Sequence, residues 1–161
     1  MIILGVDPGL ATTGYGLIKF ETQNSKFEIL KYGCIITSAK IDFAQRLKII
    51  YDELKRLIKK YQPQRVAIEK IYFARNTKTA MQIGEARGVI TLVAVQNKIP
   101  VFEYTPLQVK QCLTGYGQAS KQQVQKMVRV VLNLREIPKP DDAADGLAVA
   151  IVCAQMENKM Y

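Results

Sequence analysis

The chain has 161 residues, is 48% apolar and has a mean hydropathy of −0.01, the size and composition of one soluble globular domain with a substantial core. It contains no histidine, which removes Ser-His and Cys-His nucleophile systems and most zinc sites, and its three scattered cysteines form no CxxC pair. Lys and Arg number 23 against 14 Asp and Glu, a net charge of +9 that favours a polyanionic partner.

The opening "MIILGVDPG" reads as a first strand and lacks the charged n-region of a signal peptide, so a cytoplasmic location is expected. After the turn "DPGLATTG", the segments "YGLIKF" and "KFEILKYGCIIT" read as two further strands in a meander with the first. Residues 42–61 place Phe43, Leu47, Ile50, Leu54, Leu57, Ile58 and Tyr61 at helical spacing, with Asp42 as the N-cap. "RVAIE" is a fourth strand, a helix is predicted from Thr77 to Asn97, and "PVFEY" is a fifth strand. Ser120 and Gln123 have the form of a capping box opening a helix through Leu132. A last helix begins in "PDDAADGLAVAI", and its apolar run "GLAVAIVCAQM" is too short to cross a membrane. The expected architecture is α/β, a mixed five-stranded sheet flanked by helices, with the first strand central and crossovers right-handed.

Asp7 and Glu69 each end an apolar strand, and parallel pairing puts both at the carboxyl edge, where open α/β sheets bind ligands. A solvated strand end explains either acid alone, but not two beside an aspartate-rich helix start. Asp142 and Asp145 are three apart and share a helix face, while Asp141 is expected to serve as the cap. Four crowded carboxylates cannot all stay ionised without a positive charge among them. An all-oxygen set suits Mg²⁺ or Mn²⁺, and two such ions can activate water and stabilise a leaving oxygen in phosphodiester hydrolysis.

The blocks "ILGVDPGLATTGYGLI", "AIEKIYFARN", "EARGV", "VFEY…QVKQ…G" and "DDAADGLAVAI" together resemble the RuvC family of Holliday junction resolvases. They occur in order from Ile2 to about Ala154 and are jointly specific. The resemblance implies one RNase H-like nuclease domain over residues 1–161 and a homodimer. It further implies paired Mg²⁺-dependent nicks in a four-way DNA junction, with two ions per site, leaving 5′-phosphate and 3′-hydroxyl ends. The family's catalytic, metal-binding acids fall on Asp7, Glu69, Asp142 and Asp145, the four reached from spacing. It also implies work beside the RuvA–RuvB branch-migration complex.

Tyr72 and Phe73 lie just beyond Glu69 among Lys70, Arg75 and Lys78; one ring suits the core and the other stacking on bases. The resemblance makes Tyr72 the junction-contacting position and matches Lys110 and Lys121 to basic residues near the site. The expected DNA contacts are therefore Tyr72, Phe73, Arg75, Lys110 and Lys121. Ala80, Gly84 and Gly88 form a small-residue stripe that suits packing on the protein's own sheet or on a second chain, and the resemblance implies the dimer interface there. Gly9, Gly14 and Gly16 are read as turn glycines, since Tyr15 stands where a Walker A loop needs lysine. Gly146 is expected to weaken the last helix slightly without touching an acid; the family commonly has alanine there.

Two further readings compete with the nuclease. A non-catalytic junction-binding module would need the basic surface but not four intact acids. An actin-like ATP-handling protein also opens with a strand, Asp-x-Gly and a hairpin, but needs a second domain.

Overall fold

The computed structural model describes residues 1–70 and 77–158. Its elements in chain order are β1 (Ile2–Asp7), β2 (Thr12–Glu21), β3 (Lys26–Ile36), α1 (Phe43–Tyr61), β4 (Arg65–Glu69), α2 (Thr77–Gln96), β5 (Val101–Tyr104), α3 (Pro106–Thr114), α4 (Lys121–Val131) and α5 (Asp141–Asn158). The strands form one sheet in the order β3-β2-β1-β4-β5. β1 pairs antiparallel with β2 and parallel with β4, and β4 pairs parallel with β5. The expected mixed sheet with a central first strand is therefore present. Among the described residues no helix is long and apolar enough to cross a membrane.

The period-two alternation of strand side chains divides the core into two layers. Ile3, Ile18, Ala67 and Tyr104 face one side and pack with Val109, Val128, Leu147 and Ile151 from α3, α4 and α5. Leu4, Val6, Leu17, Val66 and Ile68 face the other and pack with Ile50, Leu54, Ile90 and Val93 from α1 and α2. α5 is enclosed along much of its length, with Leu147 through Ala154 all buried, which is why its sequence is apolar all round.

Glycines set how closely α5 lies on the sheet. A Cβ on Gly14 would land on the Asp142 carbonyl oxygen, and one on Gly16 would come within 2.7 Å of the Leu147 Cα. From the helix side, a Cβ on Gly146 would sit 2.7 Å from the Tyr15 backbone. Gly14 and Gly16 thus lie inside β2 and serve helix docking, which corrects their reading as turn residues. Gly146 belongs to the same contact. Gly9 alone behaves as expected, since a Cβ there would run into the Thr12 carbonyl oxygen in the β1–β2 turn.

Two local differences from the sequence reading have simple causes. α3 was not anticipated, although Thr105–Gln108 forms a capping box with Pro106 at the helix start: Gln108 N donates to Thr105 Oγ1 (3.2 Å) and Thr105 N donates to Gln108 Oε1 (2.8 Å). Asp141 is the first helical residue and not the cap. The Pro140 carbonyl accepts from Ala143 N (3.0 Å) and Ala144 N (3.3 Å), so the cap position falls one residue earlier. The caps at Asp42 and Ser120 are as expected.

Gly16→Ala should destabilise the protein by about 1–3 kcal/mol, the usual cost of overpacking where only backbone can yield. The shift of the urea unfolding midpoint measures it, and an unchanged midpoint would mean α5 can stand off the sheet freely.

Candidate active site

Strand parity, and not only strand direction, aims the first two acids. Asp7 continues the Ile3–Gly5 face of β1, and Glu69 continues the Ala67 face of β4, so both turn toward α5. β1 and β4 are hydrogen-bonded neighbours with Val6 opposite Ile68, which puts the two acids side by side at the sheet edge. Lys70 N donates to Tyr104 O at 2.8 Å, extending the β4–β5 ladder past Glu69 and holding its backbone.

α5 supplies the other pair from above. One carboxylate oxygen from each of Asp7, Asp142 and Asp145 lies within 4.8 Å of the others. Glu69 adjoins this trio and shares a side-chain hydrogen bond with Asp7. The structure therefore brings together all four acids singled out in the sequence. Asp141 points away, more than half exposed, with its carboxylate 3.8 Å from Lys121 Nζ.

Burial and mutual repulsion act on these groups in the same direction. The Asp7 carboxyl is pushed up to about 8, first by burial and then by the charges of Glu69, Asp145 and Asp142. Burial and Asp145 also raise Glu69, against the hydrogen bond from Asp7 and the cations Lys121 and Lys110. Burial raises Asp145, with Lys121 opposing. Burial and repulsion thus favour the protonated form of Asp7, which shares its hydrogen bond with Glu69. A crowded donor set of carboxylate oxygens fits a hard divalent cation, whose charge would offset the repulsion that raises Asp7, Glu69 and Asp145.

Both predicted basic residues near the acids are in place. A cavity of about 170 Å³ is lined by Glu69, Asp145, Lys110 and Lys121, with Pro106, Val109, Val124 and Ala148 as its apolar wall. Lys121 Nζ lies 2.8 Å from Asp145 Oδ2. Partial burial works against the Lys121 ammonium, but the Asp145 hydrogen bond and the charges of Asp145, Asp141 and Asp142 outweigh it and raise its pKa. Tyr72, Phe73 and Arg75 lie outside the described residues.

On α2, Ala80 and Gly84 are half-buried and Gly88 is exposed. A Cβ added at Gly84 or Gly88 would meet nothing within 4 Å, so packing on the protein's own sheet does not account for either glycine.

The sequence reading missed the residues that fix the turn after Asp7. Thr13 and Thr37, both buried, donate their hydroxyl protons to the carbonyls of Gly9 and Leu10 at 2.5 Å. Arg46 Nε in turn donates to Thr37 Oγ1 at 2.8 Å. Thr13 carries a local signal, since it reaches back four residues; the Thr37–Leu10 contact spans 27 residues and has none. Of the three cysteines only Cys153 is fully buried. Cys34 stands opposite Gly14, and burial followed by the Asp142 charge pushes its thiol up.

A family model described as crossover junction endodeoxyribonuclease RuvC matches residues 3–153. The crossover junction endodeoxyribonuclease RuvC of Halothermothrix orenii is 54% identical over 151 residues, 94% of this chain and 90% of that protein. Its counterpart from Caldicellulosiruptor saccharolyticus is 56% identical over 152 residues, with the same coverage. Among solved structures, Thermus thermophilus RuvC in complex with Holliday junction substrate matches with a TM-score of 0.94 at 32% identity, over 99% of this chain and 96% of that one. The yeast mitochondrial Holliday junction resolvase matches with a TM-score of 0.71 at 15% identity, over 99% of this chain and 80% of that one, and shares the fold.

The raised carboxyls fix the sign of a pH effect. Between about pH 4 and 8 the metal-free folded state binds more protons at Asp7 than the unfolded chain does, so stability falls as pH rises through that window. Melting of metal-free protein should show this decline. Asp7→Asn should flatten it and raise the midpoint at pH 8 by roughly 3 °C or more, on a scale of about 2–4 °C per kcal/mol. A flat wild-type profile would show that the acids are not crowded in solution.

Proposed function

Since this chain belongs to the RuvC family of crossover junction endodeoxyribonucleases, we propose that it resolves Holliday junctions by metal-assisted phosphodiester hydrolysis at Asp7, Glu69, Asp142 and Asp145. The observation that carries this reading is the convergence of three carboxylate oxygens within 4.8 Å, with Glu69 hydrogen-bonded beside them. A chain of net charge +9 gathers these half-buried acids at the edge of the sheet where strands β1 and β4 both end.

The four acids would hold two Mg²⁺ ions, with Mn²⁺ as a substitute. When bound, the metal would lower the pKa of the attacking water and offset charge on the leaving oxygen. The chain's own part is to fix four oxygens on two rigid strand ends and one buried helix. Lys110 and Lys121, which line the cavity beside the acids, would grip the strand. Hydrolysis joins the water oxygen to phosphorus and breaks the bond to the 3′ oxygen, which leaves with a proton. The products are 5′-phosphate and 3′-hydroxyl ends. Tyr72, Phe73 and Arg75 are assigned as DNA contacts by resemblance.

The whole activity is assigned to one domain, residues 1–161, acting as a homodimer in the cytoplasm beside the RuvA–RuvB complex. The α2 face supports the dimer. Met81, Leu92 and Val95 are 69%, 50% and 60% exposed, and Met81, Gly88 and Val95 recur every seven residues along one side. A twofold pair of sites matches the approximate twofold symmetry of a four-way junction.

Asp7→Asn and Glu69→Gln should each lower junction cleavage in Mg²⁺ by at least about 1000-fold, corresponding to roughly 4 kcal/mol of transition-state stabilisation. Junction binding in Ca²⁺ should persist in both. Gel assays of nicked and retarded junctions separate the two readouts, and wild-type cleavage by either variant rejects its assignment. For the dimer, Leu92→Glu with Val95→Glu should halve the mass seen by sedimentation equilibrium. An unchanged dimer would move the interface off α2.

A further inference from the structure

Lys121 stands where a cation is poorly suited to its own helix. It is the first residue of α4, fixed there by the Ser120 capping box: Gln123 N donates to Ser120 Oγ (3.3 Å) and Ser120 N donates to Gln123 Oε1 (2.8 Å). A positive charge at a helix N-terminus opposes the helix dipole, so the ammonium gains nothing from α4. What it gains lies across the cavity, at Asp145 Oδ2 2.8 Å away and at Asp141 Oδ2 3.8 Å away. The ammonium thereby occupies an oxygen of the same carboxylate that the cation site requires. Lys110, the other cation of that cavity, forms no ion pair with an acid among the described residues.

Asp145 cannot keep this contact at full strength once a dication shares its carboxylate, because the two positive charges would then sit a few ångströms apart in a partly buried cavity. We infer that Lys121 is an exchangeable counter-ion: it neutralises Asp145 in the metal-free protein, yields that carboxylate to the divalent cation, and then takes a phosphate of the bound strand. The inference rests on the metal reading of the acid cluster given above. It makes metal loading and the phosphate grip of Lys121 reciprocally linked, each favouring the other. The half-exposed Lys121 side chain has the open side that such a swing requires. Lys121 is thus a charge-balancing residue that acts through Asp145 and the DNA.

The test is calorimetric titration of Mn²⁺ into DNA-free wild-type, Lys121→Met and Lys121→Arg proteins at neutral pH. With the competitor removed, Lys121→Met should bind Mn²⁺ about 3- to 30-fold more tightly, and Lys121→Arg should restore the wild-type value. Equal or weaker binding by Lys121→Met overturns the inference, since the lysine would then be helping to shape the site. No Mn²⁺ binding by any of the three would instead sink the metal reading itself, with the inference falling alongside it. A second readout needs no variant. The dependence of wild-type junction affinity on salt should steepen by about one unit of log–log slope in Ca²⁺ relative to EDTA, as one more phosphate contact forms. An identical slope in both conditions overturns the inference, and Lys121→Met should show that identical slope.

Discussion

The close seating of α5 on the sheet is the constraint from which the rest of the architecture follows. Gly5, Gly14 and Gly16 clear a track on β1 and β2, and Gly146 clears the matching place on the helix. Side chains at these positions would hold the backbone of α5 off the strands, and the site would open with it. Asp142 and Asp145 reach Asp7 because the helix carrying them lies against the backbone of the strands below. Close approach also explains the small residues Gly146 and Ala150, which lie where α5 meets Gly5 of β1 and where a larger side chain would need a wider gap.

Such packing concentrates negative charge where water is scarce, and the chain meets that cost in two ways. One is protonation, which burial and repulsion favour at Asp7, beside its hydrogen bond with Glu69. The other is the pair of lysines on α3 and α4, which face the acids across the cavity. The Lys121–Asp145 pair is too exposed to add much to folding, about 1 kcal/mol or less. Its significance is electrostatic tuning of the site rather than stability.

Much of this was legible in the amino-acid order. The apolar runs ending in Asp7 and Glu69, the strand–helix alternation and the Asp142/Asp145 spacing place all four acids without coordinates. What escaped was tertiary or off by one. Gly14 and Gly16 look like turn residues because nothing local reveals the helix that will lie on them. Asp141 looks like a cap because aspartate favours that position, yet the Pro140 carbonyl already accepts the first helical hydrogen bonds. α3 was hidden in plain view, since Thr105-Pro-Leu-Gln108 carries both a capping box and a proline at its start. Thr37 and Arg46, which hold the turn after Asp7 from far along the chain, have no sequence signature at all.

The two-layer division of the core also governs how these strands can change over time. Asp7 and Glu69 reach α5 only because an even number of steps separates them from Ile3 and Ala67. Removing or adding a single residue inside either strand would rotate its acid into the α1–α2 layer, among Leu54 and Ile90, while leaving composition almost untouched. Apolar residues there are interchangeable within their volume, but strand length is not. Insertions and deletions of one residue should therefore be tolerated in the connections between elements and not inside β1 or β4.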